Sequence, residues 1–241
     1  MVKLPDPNPV STGNIYERNL LFLTIMTVLT LILSEFDYLT GGSIRFAQFV
    51  GIVSFILGMV IYYNFWKLAR ILGYGKVVQR LMLFYWIVWY PIVGVAVPVF
   101  WKDTTLTSFK LIISSGMTVQ IIYIGFVFWM IMANIFRSKS TKKDHLWGAI
   151  ICYLIAVVIF ADLFRILTLW YPDSISVSFE NPAEYYYNCL IYSLNAASGM
   201  DYVMPATKLF QKIGIFENWF LNLFLVVILG RLLSVPLEKA N

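Results

Sequence analysis

The sequence predicts an all-α membrane protein with six transmembrane helices and a long, partly apolar loop between helices five and six. Of its 241 residues, 60% are hydrophobic and only 13% are charged, whereas soluble domains carry roughly 25% charged residues. A helix needs about 20 apolar residues to cross the hydrocarbon core of a bilayer. Runs of that length occur at residues 19–38, 46–66, 81–101, 109–136, 146–170 and 214–235.

These runs divide the chain into two tails and two membrane regions. The polar first residues contain prolines and no cleavage site, so we expect no removable signal peptide, and the first span itself directs insertion. Pro91 and Pro98 predict a kink in the third span. The regions are a cytoplasmic tail at 1–18, a four-helix transmembrane domain at 19–136, a second membrane domain at 146–235 and a cytoplasmic tail at 236–241.

The distribution of positive charge predicts the orientation of the spans, because cytoplasmic loops retain Lys and Arg. Residues 67–80 and 137–143, beside the apolar runs, carry eight of the 18 Lys and Arg residues. This placement is typical of topology signals, so nucleic acid is not expected as a partner. We predict a multi-pass protein of the cell membrane, in contact with lipids, with both termini cytoplasmic. Twelve basic residues fall on the cytoplasmic side, namely Lys3, Arg18, Lys67, Arg70, Lys76, Arg80, Arg137, Lys139, Lys142, Lys143, Arg231 and Lys239.

The loop between the last two spans, from Tyr171 to about Ile213, has an apolar and aromatic middle. Its residues 183–196 would cover only about 21 Å as a helix, which is too short to cross a bilayer. A segment of that length is typical of a re-entrant or interfacial helix. Non-helical backbone beyond it can lie at membrane depth only where protein or a water-filled cavity surrounds it. The pattern therefore indicates a re-entrant helix followed by a returning loop.

The residues from Ser193 to Ser234 resemble the pore module of the potassium-channel superfamily. Residues 196–205, Ala-Ala-Ser-Gly-Met-Asp-Tyr-Val-Met-Pro, align without gaps with that family's filter and the proline after it. Ala206 to Gln211 is similar to the family's outer linker, Ile213 to Glu217 to the start of its inner helix, and Leu229 to Ser234 to its end. The resemblance implies a re-entrant pore helix and filter loop between helices five and six, a pore domain over 146–235, and a homotetramer.

By this resemblance the ion filter comprises Ala197, Ser198, Gly199, Met200 and Asp201. The family's tyrosine position is Met200 and its second filter glycine is Asp201, so the carbonyl register that selects potassium is not assured. Four copies of Asp201 would form a carboxylate ring that favours cations. The alternative is that Asp201 braces the loop by accepting backbone hydrogen bonds. Permeant monovalent or divalent cations are the only ions expected; no cofactor or other metal is implied.

Two further sets of residues are candidates for roles in a pore. Asn222, Val226 and Gly230 share one stripe of the sixth span, and the resemblance implies that this stripe lines a cavity; hydrogen bonding between helices is the alternative for Asn222, and packing or capping for Gly230. Asp162 and Arg165 lie three positions apart in the fifth span. We predict that they form a structural ion pair rather than a proton or ion relay.

The sequence therefore predicts the pore-forming subunit of a tetrameric cation channel with an atypical Ser-Gly-Met-Asp filter. The fourth span has no charge from Leu111 to Phe136, so a voltage sensor is not expected, and gating would come from lipid, tension, small ligands or a separate partner. The alternative is a non-conducting, channel-like membrane subunit or sensor. An enzyme is not predicted, and there are no catalytic candidates, because no base lies near Ser198 and the only histidine is His145.

Overall fold

The computed structural model describes residues 16–19, 21, 25, 44–91, 107–137, 142–171, 182–199 and 207–234. Every secondary-structure element in this part of the chain is helical. The elements are α1 (Ile44–Ile71), α2 (Lys76–Phe84), a π-helical turn (Tyr85–Trp89), α3 (Thr107–Arg137), α4 (Lys142–Trp170), α5 (Pro182–Ser198) and α6 (Lys208–Ser234). Among these described residues, three stretches are long and apolar enough to cross a membrane, namely Lys110–Phe136, His145–Trp170 and Lys208–Leu233.

The predicted boundaries agree with the helices at three spans and need correction at two. The runs at 46–66, 109–136 and 146–170 lie inside α1, α3 and α4, whereas α2 begins at Lys76 rather than at 81. Its first five residues include Lys76 and Arg80. These charges excluded residues 76–80 from the predicted apolar run. Of the run at 19–38, only residues 19, 21 and 25 are described, and the run at 81–101 lies outside the described residues after Pro91.

The start of α6 differs from the sequence expectation. The helix begins at Lys208, six positions before the predicted 214, so the proposed outer linker from Ala206 to Gln211 is wrong in its second half. The first turn contains two lysines and a glutamine, which hid it from a count of apolar residues. Phe210 is completely buried and anchors this turn.

The helix that begins with α2 contains a wider, π-helical turn at Tyr85–Trp89, just before Pro91. Across the π-helical turn, the Tyr90 N–H donates to the carbonyl of Tyr85, five positions earlier. Pro91 has no N–H to donate, and its ring crowds the carbonyl one turn before it. A wider turn immediately upstream accommodates both constraints. Pro98, the other predicted source of a kink, is outside the described residues.

An antiparallel pair, α3 and α4, forms the centre of the bundle and defines its two ends. At one end, called the Trp170 end, the Trp170 indole N–H donates to Ser114 Oγ at 2.9 Å. At the other, the Arg231 end, the guanidinium of Arg231 donates to the carbonyls of Ile135 and Phe136 at 3.5 and 3.4 Å. A cation at the carboxyl end of α3 complements its helix dipole. Helices α3 and α6 therefore run in the same direction.

Two groups of buried side chains hold the helices together. Tyr62, Tyr85 and Tyr123 join α1 and the π-helical turn to α3, and the rings of Tyr85 and Tyr123 stack with centroids 4.2 Å apart. A second cluster places Tyr192 of α5 against Phe164 and Phe210. Helix α5 is thus packed between α4 and α6.

Candidate functional site

Helix α5 has one half near the Trp170 end and the other half deeper in the bundle. In the first half, Cys189 Sγ lies 4.0 Å from Thr168 Oγ1, two positions before α4 ends. The Tyr192 hydroxyl donates to the carbonyl of Phe210, in the first turn of α6, at 3.3 Å. One residue later, Ser193 Oγ donates to the carbonyl of Val157 at 2.8 Å. Successive residues of α5 therefore lie progressively farther from the Trp170 end.

The end of α5 lies about halfway along the neighbouring helices. From Thr168 to Val157 is eleven positions of α4, or about 16 Å at 1.5 Å per residue. The last turn of α5 contacts Asn218, which is ten positions, or about 15 Å, after the start of α6 at Lys208. Gly199 and Thr207 are eight positions apart, and an extended chain of that length reaches about 26 Å. Residues 200–206, outside the described part, are long enough to make this connection.

A left-handed glycine ends α5. Gly199 has φ +71°, and its N–H donates to the Ala196 carbonyl at 3.3 Å. The Asn218 side chain also donates to that carbonyl, at 2.8 Å, and Asn222 donates to Asn218 Oδ1 at 2.9 Å. Asn218 thus links α6 directly to the last turn of α5, and Asn222, one turn later, bonds to Asn218.

A buried polar junction fixes the middle of α5 to both neighbours. Ser193 and Glu217 are completely buried, and Ser193 Oγ contacts Glu217 Oε1 as well as the Val157 carbonyl. Burying a carboxyl group is costly unless it is hydrogen-bonded, so this contact ties α6 to α5 at one height. Sequence reasoning noted Glu217 but missed Ser193. The available signal was a serine in the apolar middle of α5 and the one glutamate of α6.

The close approach of α5 and α6 requires a glycine on α6. A Cβ atom added at Gly214 would lie 3.0 Å from Tyr192 Oη and 3.6 Å from Ala196 Cβ. Gly214 therefore allows the two helices to approach closely. It does not lie at the start of the helix, as the resemblance to the channel family implied, because α6 begins at Lys208. The Tyr192 ring fills the space that a larger residue would need.

The predicted filter residues are only partly described. Ala197 is buried among the side chains that join α4, α5 and α6, whereas Ser198 and Gly199 are exposed. Ser198 Oγ donates to the Asn195 carbonyl at 3.1 Å, a local bond within the helix. Met200 and Asp201 lie outside the described residues. The arrangement of a filter therefore stays a prediction.

The stripe predicted to line a cavity lies on the open side of α6. Asn222 and Gly230 are exposed, and Val226 has 67% of its surface accessible. A Cβ atom at Gly230 would meet nothing within 4 Å, so within one subunit Gly230 has no packing role. Helix α6 continues past it to Ser234. In the part of the chain that the structure describes, this stripe is thus largely accessible, and Asn222 bonds to Asn218.

Asp162 and Arg165 form an ion pair within α4. Their side chains are 2% and 10% exposed. Gln120 of α3 lies beside the Asp162 carboxyl group, and Arg165 lies near Cys189 of α5. The pair is therefore at a junction of α3, α4 and α5.

Two asparagines of α6 offer a matched test of this geometry. Asn218→Ala should lower the free energy of unfolding by about 1 to 2 kcal/mol, because it removes the bond to the Ala196 carbonyl. Asn222→Ala should change it by less than about 0.5 kcal/mol, since Asn222 is exposed and bonds only to Asn218. Titration with a denaturing detergent measures both, and equal losses would contradict the contact between α5 and α6.

The described residues contain no group of three His, Cys, Asp or Glu side chains that could hold a metal ion. Cys152 and Cys189 are buried free thiols. Comparisons with protein-family models, with curated proteins and with solved structures found no match for this chain.

Proposed function

We propose that this chain is the pore-forming subunit of a homotetrameric cation channel in the cell membrane. In this proposal, six helices cross the bilayer with both termini cytoplasmic, α5 is the re-entrant pore helix, and residues 197–201 form the filter. Each chain supplies one pore loop, which lines a quarter of an axial filter. The three helices long and apolar enough to cross a membrane support the location.

The observation that carries the proposal is the depth at which α5 ends. Its first half packs at the Trp170 end, and its last turn contacts Asn218 about halfway along α6. The chain then has to reach Thr207, at the start of α6, so it goes back toward the end from which α5 entered. Within a bilayer, such a backbone needs a surrounding protein or water-filled cavity.

Electrostatics at this depth favour a cation. The carboxyl end of a helix carries a partial negative charge of about half an elementary charge. In a tetramer, four copies of α5 would direct that charge toward the axis, and Asp201 would add a carboxylate ring at the outer mouth. Potassium selectivity does not follow from this, because Asp201 replaces the second filter glycine of the similar family.

Asn222 supports an aqueous path next to this point. It is an exposed amide on a largely apolar, exposed face of α6, one turn after the residue that bonds α5. Polar side chains at membrane depth usually face a bundle interior or water rather than lipid. In a tetramer with α6 around the axis, Asn222, Val226 and Gly230 would line the cavity below the filter.

A non-conducting subunit or sensor is the second candidate, and one observation favours it. The Ala196 carbonyl accepts bonds from both Gly199 and Asn218, so protein donors occupy it. Ala197 is buried rather than open. A chain with these features could keep the shape of a pore module without passing ions.

Ion flux into liposomes separates the two candidates. Purified protein should admit potassium, sodium or calcium ions above the rate of protein-free liposomes, and Asp201→Asn should change the rate or the preference among the three ions, because it removes the carboxylate ring. Glu180→Gln, in the same loop but upstream of α5, is the control and should leave both unchanged. Flux equal to that of empty liposomes would reject the channel.

A further inference from the structure

The hairpin of α1 and α2 gathers four positive charges at one end. Lys67 and Arg70 lie in the last turns of α1, and Lys76 and Arg80 in the first turns of α2. No Asp or Glu occurs between Asp37 and Asp103. We call these four residues the basic cluster. Neither helix of the hairpin supplies a carboxylate to neutralise it.

The connection between the two helices is a tight, bonded turn. Gly73 has φ +72°, its N–H donates to the Arg70 carbonyl at 3.2 Å, and the Tyr74 N–H donates to Ala69 at 3.1 Å. Gln79 Nε2 closes the turn by donating to the Tyr74 carbonyl at 2.6 Å. The cluster therefore lies within about 6 Å, along the helix axes, of one turn of fixed geometry.

The accessible side chains of this hairpin form an amphiphilic surface. Arg70, Lys76 and Arg80 are exposed. Val77, Leu81 and Phe84, with 69%, 64% and 56% of their surfaces accessible, form a stripe on one face of α2 that leads away from the cluster. Cations at one end and an apolar strip beyond them match the shape of a lipid with an anionic headgroup.

We propose that the basic cluster binds the headgroup of an acidic phospholipid and that its acyl chain lies along Val77, Leu81 and Phe84. The proposal rests on the membrane location in the proposed function. The positive charges place this turn on the cytoplasmic side, where anionic lipids attract juxtamembrane Lys and Arg. Clusters of four or more such residues are typical of sites for acidic lipids. A topology signal alone, with no bound lipid, is the alternative outcome.

Native mass spectrometry of the delipidated full-length protein tests the site. The probes are dioleoyl phosphatidylglycerol, dioleoyl phosphatidylcholine and the soluble headgroup glycerol 3-phosphate. The wild type should retain phosphatidylglycerol in preference to phosphatidylcholine. Lys67→Gln, Arg70→Gln, Lys76→Gln and Arg80→Gln combined should weaken that retention about a hundredfold or more, because each cation near an anionic surface contributes roughly fivefold and the four factors multiply.

Matched variants separate a site from general charge. Lys208→Gln with Lys212→Gln removes two exposed cations from the start of α6 and should leave retention unchanged. Leu81→Asn with Phe84→Ser, both exposed, should weaken it several-fold without removing charge. Displacement by equimolar glycerol 3-phosphate would overturn the lipid as ligand in favour of a free phosphate.

Equal retention of the two lipids by the wild type, or wild-type retention by the fourfold variant, would overturn the proposal. If the fourfold variant aggregates, Arg70→Gln and Arg80→Gln are tested singly, and each should weaken lipid retention about fivefold. Unchanged retention in either single variant would also overturn the proposal. Native mass spectrometry detects bound lipid whether or not the protein conducts ions. Failure of the channel proposal would therefore not change the interpretation of this experiment.

Discussion

Replacing Asp162 by asparagine should lower the free energy of unfolding by about 3 to 5 kcal/mol. The substitution leaves the Arg165 guanidinium, which is only 10% exposed, without its carboxylate partner within α4. Removing one member of a buried pair exposes the full cost of the other buried charge. Arg165→Met should cost a similar amount for the same reason. Both are measured by unfolding in a denaturing detergent, with circular dichroism as the signal.

The paired substitution is the control for this prediction. Asp162→Asn with Arg165→Met removes both charges and should cost much less than the sum of the two single losses, because neither buried charge is then left without its partner. Additive losses would mean that the two side chains do not interact in the folded protein. They would also remove the pair as the link between α3, α4 and α5.

Gly199→Ala should reduce cation flux about 5- to 30-fold while costing about 1 to 2 kcal/mol of stability. A residue with a Cβ pays roughly that energy in the left-handed conformation, and such an energy changes a population ratio by that factor. The cost arises from the backbone, since a Cβ atom there would meet only Asn218 Nδ2, at 3.5 Å. Flux into liposomes and unfolding in detergent are measured on the same preparation.

Two variants make this result specific. Gly199→Asn should recover part of the flux, because asparagine tolerates the left-handed region better than alanine does. Gly125→Ala, in the interior of α3 with nothing within 4 Å of the added Cβ, should leave flux unchanged and stabilise the helix by about 0.5 to 1 kcal/mol. Normal flux in Gly199→Ala would contradict a filter that begins at this turn.

The apolar runs predicted the bounds of the helices well where the helix is apolar along its whole length. The runs at 109–136 and 146–170 differ from α3 and α4 by a few residues at most. The start of α6 was misplaced because three of its first five residues, Lys208 to Lys212, are polar, and the burial of Phe210 depends on a contact with α5. A count of apolar residues along the chain contains no information about that contact.

The sequence predicted which kinds of residue form the candidate site but not which of those residues are in contact. The sequence indicated a returning loop that contains Gly199 and a stripe of Asn222, Val226 and Gly230 on the last helix, and the structure adds that Asn218 bonds the last turn of α5. Ser193 and Glu217 are 24 positions apart, and their contact follows only from the packing of α5 between α4 and α6. Pairings of this kind depend on helix register in three dimensions, which neither periodicity nor composition specifies.

Subunit stoichiometry is the most direct test of an axial pore, because one pore loop per chain cannot enclose a path by itself. Native mass spectrometry of the protein in a mild detergent should give a particle of four 27.8 kDa chains. Cross-linking in the intact membrane provides the same count without solubilisation. A monomer or dimer by both methods would contradict the tetrameric channel.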